Sequence, residues 1–323
     1  MSKKSNITNL TEDTGKGSQV ILDKEEILLR KYFLKEKLIG ISISESDNLE
    51  ELGFTVAHLK DAMVEIARYI LASGGKISYG GDMRQGGFTE LFFELLAYYK
   101  ADKQLAPAER FFSYLAYPLS TTLTQDKEAE LRQNVTFIKV PPPIDLNIKD
   151  PTVFLKPDTP ENLYVWARCL TKMREEMERE CHARIFIGGR TKGYKGKCPG
   201  VMEEFLIAVQ NQHPIYLIGS FGGVTRDIFE ALQKSQALSF QREYHLENKD
   251  YEQMFNIYND RQKDNRIDYN QFYGIAQNLG LEGLSRLNGL TEEENLRLSK
   301  TPHINEIIYL ILKGLTNCFP TNN

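Results

Sequence analysis

A unit that occurs three times in this sequence restricts its fold more than any other feature. Each copy is a short apolar run, a glycine-containing loop and a segment with helical periodicity, and the loops begin at Gly80, Gly188 and Gly219. Strands that alternate with helices form parallel sheets through right-handed crossovers. The carboxyl ends of parallel strands share one edge of the sheet, where ligands bind. The pattern therefore predicts an α/β fold with a mostly parallel sheet and three glycine loops at one edge.

Six apolar runs have the length of buried strands, and amphipathic stretches lie between them. The predicted strands cover residues 38–44, 76–79, part of 109–119, 135–140, 184–187 and 214–218. The predicted helices cover residues 23–35, 58–72, 89–99, 125–132, 160–183, a segment from about Pro199, and 224–233. We therefore expect the sheet to be flanked by helices.

Changes of composition divide the chain into three predicted segments. Residues 1–22 are polar and predict a disordered or loosely attached tail. Residues 23–235 contain the strand and loop units and predict one ligand-binding domain. Residues 236–323 carry charged helical patterns with scattered aromatic side chains and end in the apolar run INEIIYLILKGL. We expect this last segment to be a helical extension with a role in packing or oligomerisation.

Composition excludes several classes of protein. The formal net charge of −4 argues against a general nucleic-acid binder, which needs a broad basic surface. The four cysteines form no Cys-x-x-Cys pair and lie near no histidine cluster, which predicts neither a disulfide framework nor a metal site. No apolar run reaches the length of a membrane span, and the N-terminus lacks a signal-peptide core. The sequence therefore predicts a cytoplasmic protein with no cofactor.

The loop 188–200 combines glycines with cationic side chains. Arginine and lysine pair with phosphate, and glycines let the backbone approach it closely. An exposed turn whose lysines face water explains the same composition equally well. The run GYKGKC lacks the spacing and the Ser or Thr of a Walker A motif, which argues against an ATPase of that class. The candidate ligand contacts in this loop are Gly188, Gly189, Arg190, Lys192, Lys197 and Gly200.

The loop 80–89 has a glycine pair at each end and is followed by a helical pattern. A loop of this kind seats a phosphate on a helix N-terminus. It does not match G-x-G-x-x-G, which argues against a nicotinamide cofactor. The candidate contacts are Gly80, Gly81, Arg84, Gly86, Gly87 and Thr89. Arg84 is either a phosphate ligand or a surface residue of a mobile loop.

Two adjacent glutamates, Glu203 and Glu204, lie in the first turn of the predicted helix that follows the cationic loop. The helix dipole favours acidic residues there, so one of them can be purely structural. The other is a candidate acceptor for ribose hydroxyls, or a carboxylate that acts at an anomeric carbon. Ser42, Ser44 and Ser46, at the end of the first strand and after it, are candidate contacts to ligand hydroxyls or phosphate, although serines are common in loops. Gly222 and Gly223 are candidates to line the same pocket.

Together these motifs resemble the SLOG superfamily over residues 38–233. The resemblance lies in a first strand that ends in serines, followed by ISYGGDMRQGGFTEL, ARIFIGGR and CPGVMEEFLIAV. This Rossmann-like group includes the LOG phosphoribohydrolases, DprA-type DNA-binding proteins, and nucleotide-sensor domains of bacterial antiviral systems and TRPM-type channels. LOG enzymes carry Gly-Gly-x-x-Gly-x-Met-Gly and Pro-Gly-Gly-x-Gly-Thr-x-x-Glu, whereas this chain has GGDMRQGGFT and a second motif shortened to PGVMEE. The family's helix-borne glutamate falls on Glu204, with Glu203 as the fallback.

The form GVMEEF is closer to the sensor branch of the superfamily, which binds ADP-ribose-derived signals such as cyclic ADP-ribose isomers. The resemblance thus implies a sensor of a phosphorylated nucleoside in bacterial antiviral defence, working as a homo-oligomer or with a separate effector protein. The alternative is an enzyme, either a nucleotide N-glycosidase (phosphoribohydrolase) or a nucleoside 2-deoxyribosyltransferase, with Glu204 as the catalytic residue. A scaffold whose pocket has lost its ligand is a third interpretation.

Overall fold

The computed structural model describes residues 32–81, 83, 86–98 and 109–320. Within these residues the chain forms one six-stranded sheet in which every pairing is parallel. The strands are β1 (Leu38–Ser44), β2 (Lys76–Gly80), β3 (Phe111–Ala116), β4 (Thr136–Val140), β5 (Ala183–Gly188) and β6 (Ile215–Ile218). The predicted α/β fold with its mostly parallel sheet is confirmed.

Eleven α-helices accompany the sheet in the described part of the chain. They are α1 (Val56–Ala72), α2 (Phe88–Tyr98), α3 (Gln125–Leu131), α4 (Pro160–Glu180), α5 (Gly200–Gln210), α6 (Gly223–Leu232), α7 (Arg242–Leu246), α8 (Lys249–Arg261), α9 (Tyr269–Asn288), α10 (Glu292–Lys300) and α11 (Ile304–Cys318). The helix predicted to reach residue 183 ends at Glu180, because the extended backbone of Cys181 leads directly into β5. The predicted tail and most of the helix predicted at 23–35 lie outside the described residues.

The order of the strands puts the sheet's switch point at its centre. The order is β4-β3-β2-β1-β5-β6, so β1 lies between β2 and β5. The chain winds outward from β1 through β2 and β3 to β4, then crosses to the other side of β1 and forms β5 and β6. In sheets of this kind the crevice outside the carboxyl ends of the two central strands is the usual place for a ligand.

Helices cover both faces of the sheet. Ile185 and Ile187 of β5 belong to the core that also contains side chains of α1, α2 and α11, whereas Phe186 belongs to the core formed with α4, α5, α6, α8 and α9. Successive residues of a strand point to opposite faces, which explains this division. β5 is fully buried because it lies between the two cores.

The C-terminal helices are bonded to the sheet itself. The Tyr216 hydroxyl of β6 donates to the carbonyl oxygen of Asn288 at 3.0 Å, and the Asn288 side-chain amide donates to the carbonyl oxygen of Ile215 at 2.8 Å. α11 packs against α1 on one face, and α9 packs against α6 on the other. An oligomerisation role for these helices stays a prediction. None of the helices in the described ranges is long and apolar enough to cross a bilayer.

Replacing Gly223 should test how tightly the loops at the sheet edge are packed. Its φ is +60°, and a Cβ there would lie 2.2 Å from the carbonyl oxygen of Gly189. Gly53 is a matched control, since its φ is +79° and no atom lies within 4 Å of its Cβ position. We expect Gly53→Ala to cost about 1–2 kcal/mol of unfolding free energy through backbone strain alone, and Gly223→Ala to cost a further ~1–3 kcal/mol through the clash. Equal losses on chemical denaturation would contradict the packing described here.

Candidate functional site

The loops that follow β1 and β5 are hydrogen-bonded to each other at the switch point. The amide of Gly189 donates to the carbonyl oxygen of Ser44 at 2.8 Å, and the amide of Arg190 donates to the Ser44 hydroxyl at 3.0 Å. The amide of Val224, at the start of α6, donates to the carbonyl oxygen of Gly189 at 3.0 Å. Of the three glycine loops predicted to meet at this edge, those that begin at Gly188 and Gly219 are therefore in contact, and both lie beside the end of β1.

The glycines of this region allow close contact between loops. A Cβ at Gly188 would lie 2.5 Å from the carbonyl oxygen of Ser44, and one at Gly222 would lie 2.4 Å from the side-chain oxygen of Asn48. The Ser46 hydroxyl is buried in the same place without a hydrogen-bond partner. Packing of the protein against itself accounts for these glycines, and their role as ligand contacts stays a prediction.

Glu204 lies on the side of α5 that faces β1 and β2. Its carboxylate accepts a hydrogen bond from the Ser42 hydroxyl and forms ion pairs with Arg184 at 3.1 Å and with Arg174 at 3.4 Å. Gly80, at the end of β2, adjoins it, since a Cβ at that glycine would be 3.6 Å from Glu204 Oε1. The side chain is 12% exposed. Of the two adjacent glutamates, Glu204 is therefore the one that adjoins predicted site residues, namely Ser42 of β1 and Gly80 of β2.

Glu203 points in a different direction, toward α4. Its carboxylate pairs with the Arg174 guanidinium, accepts a hydrogen bond from the Thr171 hydroxyl at 2.5 Å, and lies 3.7 Å from the Lys197 ammonium. The side chain is 1% exposed. Such a fully enclosed carboxylate, surrounded by partners from the protein, has a structural role.

The two glutamates belong to a buried network of charges that joins α4, α5 and β5. Arg184, the second residue of the apolar strand β5, pairs with Glu178 of α4 as well as with Glu204. Glu178 also contacts His213 at 2.8 Å. Burial disfavours both charged groups, but each holds the other ionised, so that the pKa of Arg184 lies above its usual value and that of Glu178 below. The network's three cations balance its three carboxylates: Arg174, Arg184 and Lys197 with Glu178, Glu203 and Glu204.

The predicted phosphate-binding cations of loop 188–200 each have an acidic partner in the protein. Arg190 pairs with Glu45 at 3.0 Å and Lys192 with Glu247 at 3.3 Å, both at the surface. Lys197 is buried between Glu203 and Asn265. Arg190 and Lys192 can exchange these partners at little cost, because exposed ion pairs are weak. The charge of Lys197 is balanced in the interior by the carboxylate of Glu203, and this argues for a structural role.

The second predicted loop begins beside Glu204 and runs to α2. The amide of Gly81 donates to the carbonyl oxygen of Tyr114 at 2.9 Å, and a Cβ at Gly81 would meet the hydroxyls of Ser113 and Thr89. The amide of Gly86 donates to Glu90 at 2.5 Å, and Gly87 directly precedes α2. Arg84 lies outside the described residues.

Sequence reasoning missed two of the three cations in the buried network, Arg174 and Arg184. An arginine within the otherwise apolar strand ARIFIG is a signal for Arg184, and the spacing of Arg174 and Glu178, four residues apart on α4, is a signal for one polar face of that helix. Gly200 also has a role that was not foreseen. A Cβ there would lie 2.7 Å from the Arg174 guanidinium, so the glycine lets this arginine approach the start of α5.

The C-terminal helices cover the outer side of loop 188–200. Thr191 contacts the Tyr244 hydroxyl at 2.8 Å, and the Tyr251 hydroxyl donates to the carbonyl oxygen of Lys197 at 2.6 Å. His245 donates from Nε2 to the carbonyl oxygen of Ser239 at 2.9 Å, so its Nδ1 accepts from the Tyr194 hydroxyl at 2.8 Å. Burial, with the nearby Lys192 ammonium, lowers the pKa of His245 to about 4.

Comparison with known proteins gives one family. A family model described as SLOG cluster2 matches residues 33–298, well over half of the chain. The predicted resemblance to the SLOG superfamily is confirmed. The match continues past residue 235 through α7, α8 and α9, the helices that cover loop 188–200. A search of curated proteins found no match.

The two adjacent glutamates should differ in their effect on stability. Glu203→Gln leaves Arg174 and Lys197 short of a buried carboxylate, and we expect a loss of about 3–5 kcal/mol of unfolding free energy. Glu204→Gln should cost about 1–2 kcal/mol, because Arg184 keeps Glu178 and Arg174 keeps Glu203. Glu180→Gln, at the exposed end of α4, is the control and should stay within about 0.5 kcal/mol of wild type. If Glu204→Gln lost more unfolding free energy on urea denaturation than Glu203→Gln, Glu204 would be the structural carboxylate and Glu203 the candidate ligand contact.

Neutral His245 should make the fold sensitive to acid. Above about pH 6.5 the histidine is uncharged in both folded and unfolded chains. As the pH falls toward 4, the unfolded chain binds a proton that the folded chain does not, so this site removes up to about 3 kcal/mol of stability. The difference in unfolding free energy between wild type and His245→Gln, measured at pH 8 and pH 5, reports this contribution. A His245 resonance that titrates near pH 6.5 in the folded protein would contradict it.

Proposed function

This chain belongs to the SLOG cluster2 family, and we propose on that basis that it binds an ADP-ribose-like nucleotide at the carboxyl edge of its sheet. The observation that supports the proposal best is the fixed position of the Glu204 carboxylate. Ser42, Arg184 and Arg174 hold it from three sides, and Gly80 at the end of β2 adjoins it.

A carboxylate in this position suits the hydroxyls of a ribose. Each carboxylate oxygen accepts about two hydrogen bonds. Oε2 already accepts from Ser42 and Arg184, whereas the one polar contact of Oε1 within the described residues is with Arg174 at 3.4 Å. Oε1 also points toward Gly80, so it is the oxygen that a ligand hydroxyl would use.

Phosphate groups would be bound by loop 188–200 and the start of α5. Arg190 is the best placed cation, because its amide is fixed by Ser44 while its guanidinium forms only a surface pair with Glu45. A phosphate offers a guanidinium a stronger bidentate partner than an exposed carboxylate does. The N-terminus of α5 adds a partial positive charge.

Binding is the function we favour over turnover. Ser42 and two arginines hold the charged Glu204 carboxylate in place, as a site that binds ribose hydroxyls requires. The same fixed charge would suit a carboxylate that attacks an anomeric carbon, and this supports an N-glycosidase or 2-deoxyribosyltransferase as the second candidate. We propose a sensor of an ADP-ribose-derived signal, such as a cyclic ADP-ribose isomer, in bacterial antiviral defence. Its output would be a change in the assembly of its homo-oligomer or in the activity of a separate effector protein.

Calorimetric titration with ADP-ribose and cyclic ADP-ribose isomers tests the binding proposal. Glu204→Gln should weaken binding by about 10- to 100-fold, because it replaces a charged acceptor by a neutral one. Glu180→Gln, at the exposed end of α4 that precedes β5, should bind as the wild type does. The absence of heat and of any thermal shift with every one of these nucleotides would reject the proposal.

The enzyme alternative has its own measurement. The wild-type protein would release free base from nucleoside monophosphates or from nicotinamide dinucleotide, as seen by liquid chromatography, and Glu204→Gln would abolish the release. Binding without turnover of any of these substrates favours the sensor.

A further inference from the structure

A cavity of about 280 Å³ lies on the outer side of loop 188–200, beneath the C-terminal helices. Its walls include Lys192 and Tyr194 of the loop, Tyr244 and His245 of α7, Glu247, and Tyr251 of α8. It is smaller than the usual pocket for a complete nucleotide-sized ligand, so its volume suits one planar ring system. No sequence motif had pointed to these helices as part of a binding site.

The polar groups in the walls of this cavity form hydrogen bonds within the protein. The surfaces of the aromatic rings are therefore what a ligand can contact. Tyr194 bonds to His245, Tyr251 bonds to the carbonyl oxygen of Lys197, and Tyr244 contacts Thr191. His245 is stacked on Tyr269, with 4.5 Å between the ring centroids, so one of its faces is covered. The Tyr244 ring has an exposed side chain against it, because the Lys192 ammonium lies 4.4 Å from its centroid.

We propose that this cavity receives the base of the nucleotide, stacked on the ring of Tyr244. The inference rests on the proposed function, since it places the ribose and phosphates at Glu204 and Arg190. Aromatic side chains stack on any base, because every base has a π-face. The aromatic side chains in this wall therefore fit a nucleobase better than they fit a sugar or a phosphate.

The position of the cavity agrees with an extended nucleotide. Arg190, Thr191 and Lys192 are consecutive, so the phosphate and base positions are joined by a short piece of backbone. At full extension the chain from Arg190 to Tyr194 spans at most about 14 Å. Thr191 is fixed between them, because its amide donates to Asp47 at 2.8 Å and its hydroxyl contacts Tyr244 at 2.8 Å.

Lys192 links the two parts of the ligand. In the structure its ammonium covers Tyr244 and pairs with Glu247 at 3.3 Å, while its side chain is 56% exposed. Both contacts are weak at such exposure. A base that stacks on Tyr244 must displace the ammonium from the ring, and the displaced cation then lies on the loop that carries the phosphate-binding Arg190. Base stacking would in this way supply the second cation to the phosphates.

The experiment compares a ligand with a base and one without. Binding of ADP-ribose and ribose 5-phosphate is measured by calorimetry for wild type, Tyr244→Leu and Tyr244→Phe. Tyr244→Leu should weaken ADP-ribose binding by about 5- to 100-fold and leave ribose 5-phosphate binding unchanged, because it removes the ring on which the base stacks. It also removes the hydroxyl contact with Thr191, which Tyr244→Phe removes by itself. Tyr244→Phe keeps the ring and should retain most of the affinity. Tyr309→Leu, at an exposed tyrosine of α11, is the control and should change neither.

Each other outcome overturns a defined part of the proposal. An unchanged affinity of Tyr244→Leu for ADP-ribose, or an equal loss for both ligands, rejects the base site but leaves the proposed function. Wild-type protein that binds neither ligand rejects both. If Tyr244→Leu does not fold, saturation-transfer NMR on the wild type decides. Transfer from tyrosine ring protons to the adenine protons of ADP-ribose supports the site, and transfer to the ribose protons alone rejects it.

Discussion

The buried ion pairs around Arg184 are the interaction on which the rest of the site depends. One guanidinium with no solvent exposure ties β5 to Glu178 on α4 and to Glu204 on α5, and Ser42 adds β1. A buried charge without its partner costs several kcal/mol, so the elements that carry these groups are held in one relative position. The position of Glu204 at the end of β2 is therefore a consequence of packing and charge together.

Loop 188–200 is also held in place by contacts at both of its sides. Its start is bonded to the end of β1, and its outer residues are bonded to α7 and α8. The C-terminal helices are thus part of the wall around this loop, in agreement with a family match that extends to residue 298. A change in the loop has to alter contacts with those helices, which gives the extension a physical connection to the sheet edge.

The strands and the loops were predictable from the sequence, whereas the pairing of charges was not. Apolar runs such as LIGISIS identify buried strands because a parallel sheet buries both faces. Glu203 and Glu204 point about 100° apart on a helix, so the direction each faces depends on where α4 crosses α5. That crossing brings Arg174 to Glu203 over 29 residues of sequence separation, and no local pattern reports it.

The acidic partners of the loop cations set a condition on any anionic ligand. Arg190 and Lys192 are paired with Glu45 and Glu247. The free energy of binding a phosphate here is therefore the energy of its own ion pairs minus the energy of the two ion pairs that it breaks. Because exposed ion pairs are weak, that free energy is favourable for a phosphate with two negative charges and small for an anion with one. A phosphate proposed at this loop would therefore need two charges to displace the carboxylates. The pairing also explains how a protein with an acidic net charge can carry a local basic loop at its surface.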